Sequence, residues 1–152
     1  MGDLSEHFSK TEFACHCCGK LKIVSTLILG LERLRALAGN HVLVHDGYRC
    51  PAHNLKVGGV SDSEHTRGTA ADVSIRGVTM QQMYELALQV PTFLNGGIGV
   101  YDSTFLHLDV RPHAARWARV SGQYVAIDRL VTTPTSLIAA ARPDPTRNES
   151  SS

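Results

Sequence analysis

Ten residues near the middle of the chain, Ser63-Glu64-His65-Thr66-Arg67-Gly68-Thr69-Ala70-Ala71-Asp72, set an imidazole at the end of a loop and a carboxylate seven positions later. Asp72 stands between Ala71 and Val73, in a run that reads as a buried strand. Burying an ionised carboxylate costs several kcal/mol unless a cation or strong donors face it. His107 repeats the pattern within Phe105-Leu106-His107-Leu108. Two neutral imidazoles and one carboxylate leave a zinc ion with net positive charge and an open fourth position, as in catalytic rather than structural sites. Such an ion lowers the pKa of its water to about 7 and polarises a carbonyl oxygen. Each residue alone also has a plainer reading. A His in a strand is more often a hydrogen-bonded core residue, and Asp72 also fits a turn cap or a partner for Arg67 or Arg76. Only the conjunction of the three points to a metal.

The elements that must position these residues follow from periodicity. A short helix is expected around Lys10-Thr11-Glu12-Phe13. A longer one opens at Ser25, with Leu27, Ile28, Leu31, Leu34, Leu37 and Ala38 on one face, and ends at Gly39-Asn40. His41–His45 reads as a strand turned by Asp46-Gly47. From Tyr48 to Ser63 the chain is rich in Gly, Pro, Asn and His and reads as a long loop, which in a compact domain is usually functional. Ala70–Ile75 is a second strand. Thr79 and Gln82 form a capping box for a helix with Met83, Leu86, Ala87 and Val90 buried, stopped by Pro91. Gly97–Tyr101 and Phe105–Val110 form a hairpin around Asp102-Ser103-Thr104, and Ala115–Val120 pairs with Gln123–Ile127 across Ser121-Gly122. After Thr132 the composition turns to Pro, Thr, Ser and Asn, with a frayed helix at Leu137–Ala141 and a disordered tail.

The 152 residues suit one domain with a substantial core. A net charge of +1 and 6% aromatics argue against nucleic acid as a partner. No apolar run is long enough to span a membrane. The N-terminus lacks the basic start and apolar centre of a secretory signal and only partly matches a myristoylation site, so synthesis in the cytoplasm is expected. Four cysteines, Cys15, Cys17, Cys18 and Cys50, admit three readings: a structural zinc, a disulfide involving Cys50, or inert thiols. Adjacent Cys17 and Cys18 look awkward for one tetrahedral site shared with Cys15.

The stretch Ser63 to Asp72 fits Ser-x-His-x-x-Gly-x-Ala-x-Asp, and in this the chain resembles the zinc D-alanyl-D-alanine carboxypeptidases and the phage endolysins that cut the L-alanyl-D-glutamate bond. The wider group includes lysostaphin-type enzymes and the hedgehog signalling domain. The likeness runs from Phe8 through Trp117. It takes in Gly47-Tyr48-Arg49-Cys50-Pro51 with His53-Asn54, then Val57-Gly58-Gly59-Val60, and Gly99-Val100-Tyr101 with Phe105 to Arg111. The last metal motif is similar to the branch that reads His-x-Asp. The resemblance implies zinc ligands at His65, Asp72 and His107 and a peptidoglycan peptide as substrate. It also implies substrate contacts from Arg49, Ser63 and Tyr48, with Arg49 binding a carboxylate or the developing oxyanion and Ser63 organising the loop. The plainer reading of Arg49 is a structural salt bridge with Asp46 or Asp109.

Many relatives place Glu three residues before the last zinc His; here that position is Thr104, which takes no proton at neutral pH. Asp109, at i+2 on the strand and so on the same face as His107, is the favoured base or orienting residue, with Asp102 in the preceding turn the alternative. The expected fold is α+β, a central antiparallel sheet with helices on one side, hedgehog/DD-peptidase-like. Residues 1–132 are expected to form the zinc peptidase domain, with 1–24 as its N-terminal loop and short-helix region, and 133–152 the tail. A monomer with one catalytic Zn2+ is expected, acting on the cell wall by a phage-type lysis route or another release. The competing reading is an inactive zinc-containing wall-binding module.

Overall fold

The computed structural model describes residues 2–60, 62–102 and 105–134. The terminal helix expected at Leu137–Ala141, and position 104, lie outside them. The fold is α+β: among the described residues, six strands run in the order β1-β2-β4-β3-β5-β6, with five short to medium helices. The strands are β1 (Val42–Asp46), β2 (Ala70–Ile75), β3 (Gly97–Tyr101), β4 (Phe105–Asp109), β5 (Ala115–Val120) and β6 (Gln123–Val125). All neighbours are antiparallel except β3 and β5, so the sheet is mixed where an antiparallel one was expected. The segment after β4 crosses over the hairpin edge and lays β5 beside β3 in the same direction, a connection that periodicity alone does not encode.

The helices are α1 (Lys10–Phe13), α2 (Ser25–Ala38), α3 (Pro51–Lys56), α4 (Met80–Leu88) and α5 (Pro91–Leu94). Gly39 ends α2 in the left-handed region, at φ 65°, and its N–H donates to Arg35 O. Thr79 and Gln82 cap α4 reciprocally. Pro91 does not stop α4 directly: that helix ends at Leu88, and Pro91 is the first residue of α5, where its missing N–H is no loss. Helix α3 falls inside the stretch read as loop. Its six residues are too few and too polar for an apolar period to show; Cys50 at its N-cap and Pro51 at its start mark it instead.

The period-two alternation of the strands divides the sheet into two unlike faces. Ala71, Val73, Ile98, Val100, Leu106, Leu108 and Ala118 pack into the core with Leu27, Leu31, Leu34, Tyr84, Ala87 and Phe93 from the helices. Asp72, His107, Asp109, Trp117 and Tyr101 occupy the alternate positions. In register, Asp72 faces His107 across β2 and β4, Gly99 lies between His107 and Trp117, and Gly97 faces Asp109. The apolar layer thus supplies the stability, and the opposite face is left for polar chemistry.

Candidate metal centre

The 3-10 turn Glu64–Arg67 delivers His65. Ser63 caps it by accepting from the His65 N–H at 3.2 Å, and Gly68 closes it at φ 73°, a conformation suited to glycine. His65 Nδ1 lies 2.7 Å from Gly47 O. A carbonyl only accepts, so Nδ1 carries the proton and Nε2 is left with its lone pair turned to Asp72, 3.2 Å from Oδ1. On β4, His107 does the reverse. Its Nδ1 is 3.0 Å from the same Asp72 Oδ1, while Nε2 is held 2.8 Å from Asp109 Oδ2.

One ligand atom from each of His65, Asp72 and His107 thus lies within 4.8 Å of the others, and all three residues are buried. Each imidazole has its outward nitrogen anchored, one on a backbone carbonyl and one on a carboxylate, which is how ligating histidines are usually fixed. Two nitrogens and one oxygen, converging and pre-oriented, fit a divalent ion of the zinc type. Burial by itself would raise the Asp72 carboxyl, but the imidazoles of His65 and His107 hold it well below its usual range. Burial likewise opposes charge on His107, yet Asp109 and Asp72 on its two sides hold its pKa up to about 9. The cluster is thus strongly cation-seeking, and a divalent ion would take the place of the proton.

Asp109 has no exposure at all. Its Oδ1 accepts from Gly97 N at 3.0 Å, Arg111 N at 3.1 Å and Arg111 Nε at 2.9 Å; its Oδ2 accepts from Arg111 Nη2 at 2.7 Å and from His107. Every lone pair is engaged, and the group touches the edge of His107 away from Asp72. Asp109 thus braces the outer edge of His107 with its oxygens engaged by donors of the chain itself. Burial would raise this carboxyl too; the bonds from His107 and Arg111 keep it low.

The cluster floors an open cleft of about 760 Å³. Arg49, Ser63 and Asp102 line it, as do Tyr101, Arg111 and Trp117. Arg49 Nε donates to Asp46 Oδ2 at 2.6 Å and Nη1 to Asn54 Oδ1 at 3.1 Å, with Nη2 3.7 Å from Asp72 Oδ2. The salt bridge to Asp46 is real and coexists with a place on the cleft wall; none forms with Asp109. Asp102, at φ 38°, accepts from Ser121 N at 3.0 Å. Tyr48 is not among the cleft-lining residues. Burial, together with the nearby thiols of Cys50, Cys15 and Cys18, raises its hydroxyl pKa. Tyr101 and Arg111 fall within the motif stretches and Trp117 ends the likeness, but the sequence assigned none of them a role. The alternation of β3 and β5 puts Tyr101 and Trp117 on the His107 face, and that was the available clue. The Arg111 guanidinium lies 5.0 Å over the Trp117 ring, and Trp117 Nε1 donates to Tyr101 Oη at 3.2 Å. Burial pushes the Tyr101 hydroxyl up to about 12, so it stays protonated.

A two-imidazole, one-carboxylate centre on the polar face of an α+β sheet defines a metal-dependent hydrolase type of site. The family model described as Peptidase M15 matches residues 6–109, well over half of the chain, and the protein belongs to that family. Its members are metal-dependent peptidases, and the His-Asp-His group fits the family's metal site. A search of curated proteins finds no match. Among the described residues no helix is long and apolar enough to cross a membrane.

Proposed function

We propose that the protein is a zinc peptidase that hydrolyses peptide bonds in peptidoglycan stem peptides or cross-links, with His65, Asp72 and His107 as ligands. The observation that carries this reading is the convergence of those three pre-oriented side chains at the floor of an open cleft. Zinc, when bound, supplies a Lewis acid and an acidified water. The remaining roles belong to the chain. Asp109 holds the His107 tautomer. Arg49 pairs with a substrate carboxylate, of which stem peptides carry several, and Ser63 keeps the His65 turn in shape. Asp102, the one of the two weighed carboxylates that lines the cleft, accepts the proton from the attacking water and returns it to the leaving amine. Tyr101, neutral and cleft-lining, is a donor for the carbonyl oxygen as charge develops.

The enzyme acts as a monomer through a single domain over residues 1–132, and reaches the wall by a phage-type lysis route or another release. The test is digestion of purified cell walls with and without a chelator, followed by mass spectrometry of the fragments. New amine and carboxyl ends should appear only without chelator, and the fragment masses assign the scissile bond. Wall binding with no cleavage in either arm would instead identify a non-catalytic zinc-containing binding module.

A further inference from the structure

Away from the cleft, a second group of potential ligands remains unused: Cys15, Cys17, Cys18 and Cys50, whose four sulfurs all lie within 4.8 Å of one another. Cys15 Sγ is 3.6 Å from Cys17 Sγ, which is 3.4 Å from Cys50 Sγ. Zinc–sulfur bonds of about 2.3 Å in a tetrahedron set the sulfurs about 3.8 Å apart, close to this spacing. All four cysteines are free. Packing does not explain them either, because Cys17 and Cys18 are exposed, whereas a thiol kept for its apolar character belongs inside.

The backbone is arranged for the purpose. Cys15 N donates to Lys20 O at 2.7 Å and Gly19 N to Cys15 O at 2.8 Å, closing a turn with Gly19 at φ 74°. That turn resolves the difficulty of adjacent cysteines, because it carries Cys17 and Cys18 round to the same point as Cys15. Two amides also aim at sulfur: Cys50 N at Cys15 Sγ and His53 N at Cys50 Sγ, each at 3.4 Å. Amide donors to sulfur stabilise thiolates and, through them, a bound metal.

We propose that Cys15, Cys17, Cys18 and Cys50 form a structural zinc site, separate from the His65 centre. With four thiolates the ion has no open position and takes no part in hydrolysis. Its work is mechanical. It ties the N-terminal turn to Cys50, the residue after Arg49 and three after Gly47, whose carbonyl fixes His65. The clamp therefore stabilises the strand exit from which the cleft is built.

The test is the metal content of the full-length chain purified from zinc-supplied cells. The wild type should hold two zinc ions per chain. His65→Ala should hold one, and the Cys17→Ser/Cys18→Ser double variant should also hold one. Loaded with cobalt, the wild type and His65→Ala should show the thiolate-to-cobalt charge-transfer band in the near ultraviolet, and the double variant should lack it. If the double variant fails to fold, titrating wild type with an organomercurial should release one zinc as four thiols react. A His65→Ala protein with no metal and no charge-transfer band overturns the proposal. So does a wild-type mass lower by two hydrogens, which would show a disulfide. Failure of the catalytic assignment looks different: His65→Ala would keep the same metal count as wild type.

Discussion

Asp109 grips His107 at Nε2, 2.8 Å away, on the edge of the ring opposite the one that meets Asp72. This two-residue relationship separates holding a ligand from moving a proton. Asp109→Asn keeps the shape but removes the charge and one acceptor. Zinc affinity, measured by competition with a chelator of known strength, should fall roughly 10–100-fold, the usual cost of losing such a partner. Were Asp109 the proton carrier instead, affinity would hold and only turnover would drop.

Much of this site was legible because the strands are regular. Alternation places Asp72, His107 and Asp109 on one face, and the Ser63 to Asp72 spacing joins a loop ligand to a strand ligand. The helices α2 and α4 follow from apolar spacing and their caps. The parallel pairing of β3 with β5 was not legible, since it depends on how the segment after β4 crosses, not on any local pattern. Nor was the occupancy of the Asp109 oxygens, which rests on Arg111 folding back two residues and on the N–H of Gly97, directly opposite on the neighbouring strand.

Gly97 tests the packing behind that site. A Cβ at this position would come 2.6 Å from Asp109 Cγ and closer still to both carboxylate oxygens. Asp109 is held by Gly97, Arg111 and His107, so it cannot step aside cheaply. Gly97→Ala should cost about 1–3 kcal/mol in denaturant unfolding, in the range of core overpacking, and should weaken zinc binding as well. Unchanged affinity would mean that Asp109 can move without disturbing His107.

Arg49 offers a cleaner discrimination between binding and scaffolding. Lys keeps the charge but not the planar fork that reaches Asp46, Asn54 and the cleft at once. Arg49→Lys should reduce kcat/KM on the order of 10²-fold for peptides with a free carboxylate near the cut. Amidated peptides should lose much less. An equal loss on both substrates, accompanied by a lower Tm, would assign Arg49 to structure alone.

Asp102 sits at a positive φ that Asn also tolerates, so Asp102→Asn is a mild change to the fold. If it carries the proton, kcat should fall by about 10²–10⁴-fold with zinc content unaltered. A variant with wild-type kcat would leave the base elsewhere.

The N-terminal segment is pinned to α2 by a carboxylate, and pH should reveal it. Glu32 accepts from Ser5 Oγ at 2.5 Å and from His7 N at 2.8 Å, and its Oε1 is 2.6 Å from His7 Nδ1. Burial alone would raise this carboxyl above 4.5, but the Ser5 and His7 bonds outweigh it and hold the pKa lower. A depressed folded-state pKa means the unfolded chain binds the proton more readily, so the contribution is complete above 4.5 and is lost as pH falls through the folded value. Glu32→Gln should therefore cost about 1–2 kcal/mol at neutral pH, as expected for hydrogen bonds to a charged acceptor. The gap to wild type should narrow steadily below 4.5 in urea titrations run at successive pH values. A gap that stays constant down to strong acid would show that the charge of Glu32 contributes nothing, and that the segment is held by Phe8 and Phe13 packing into the core.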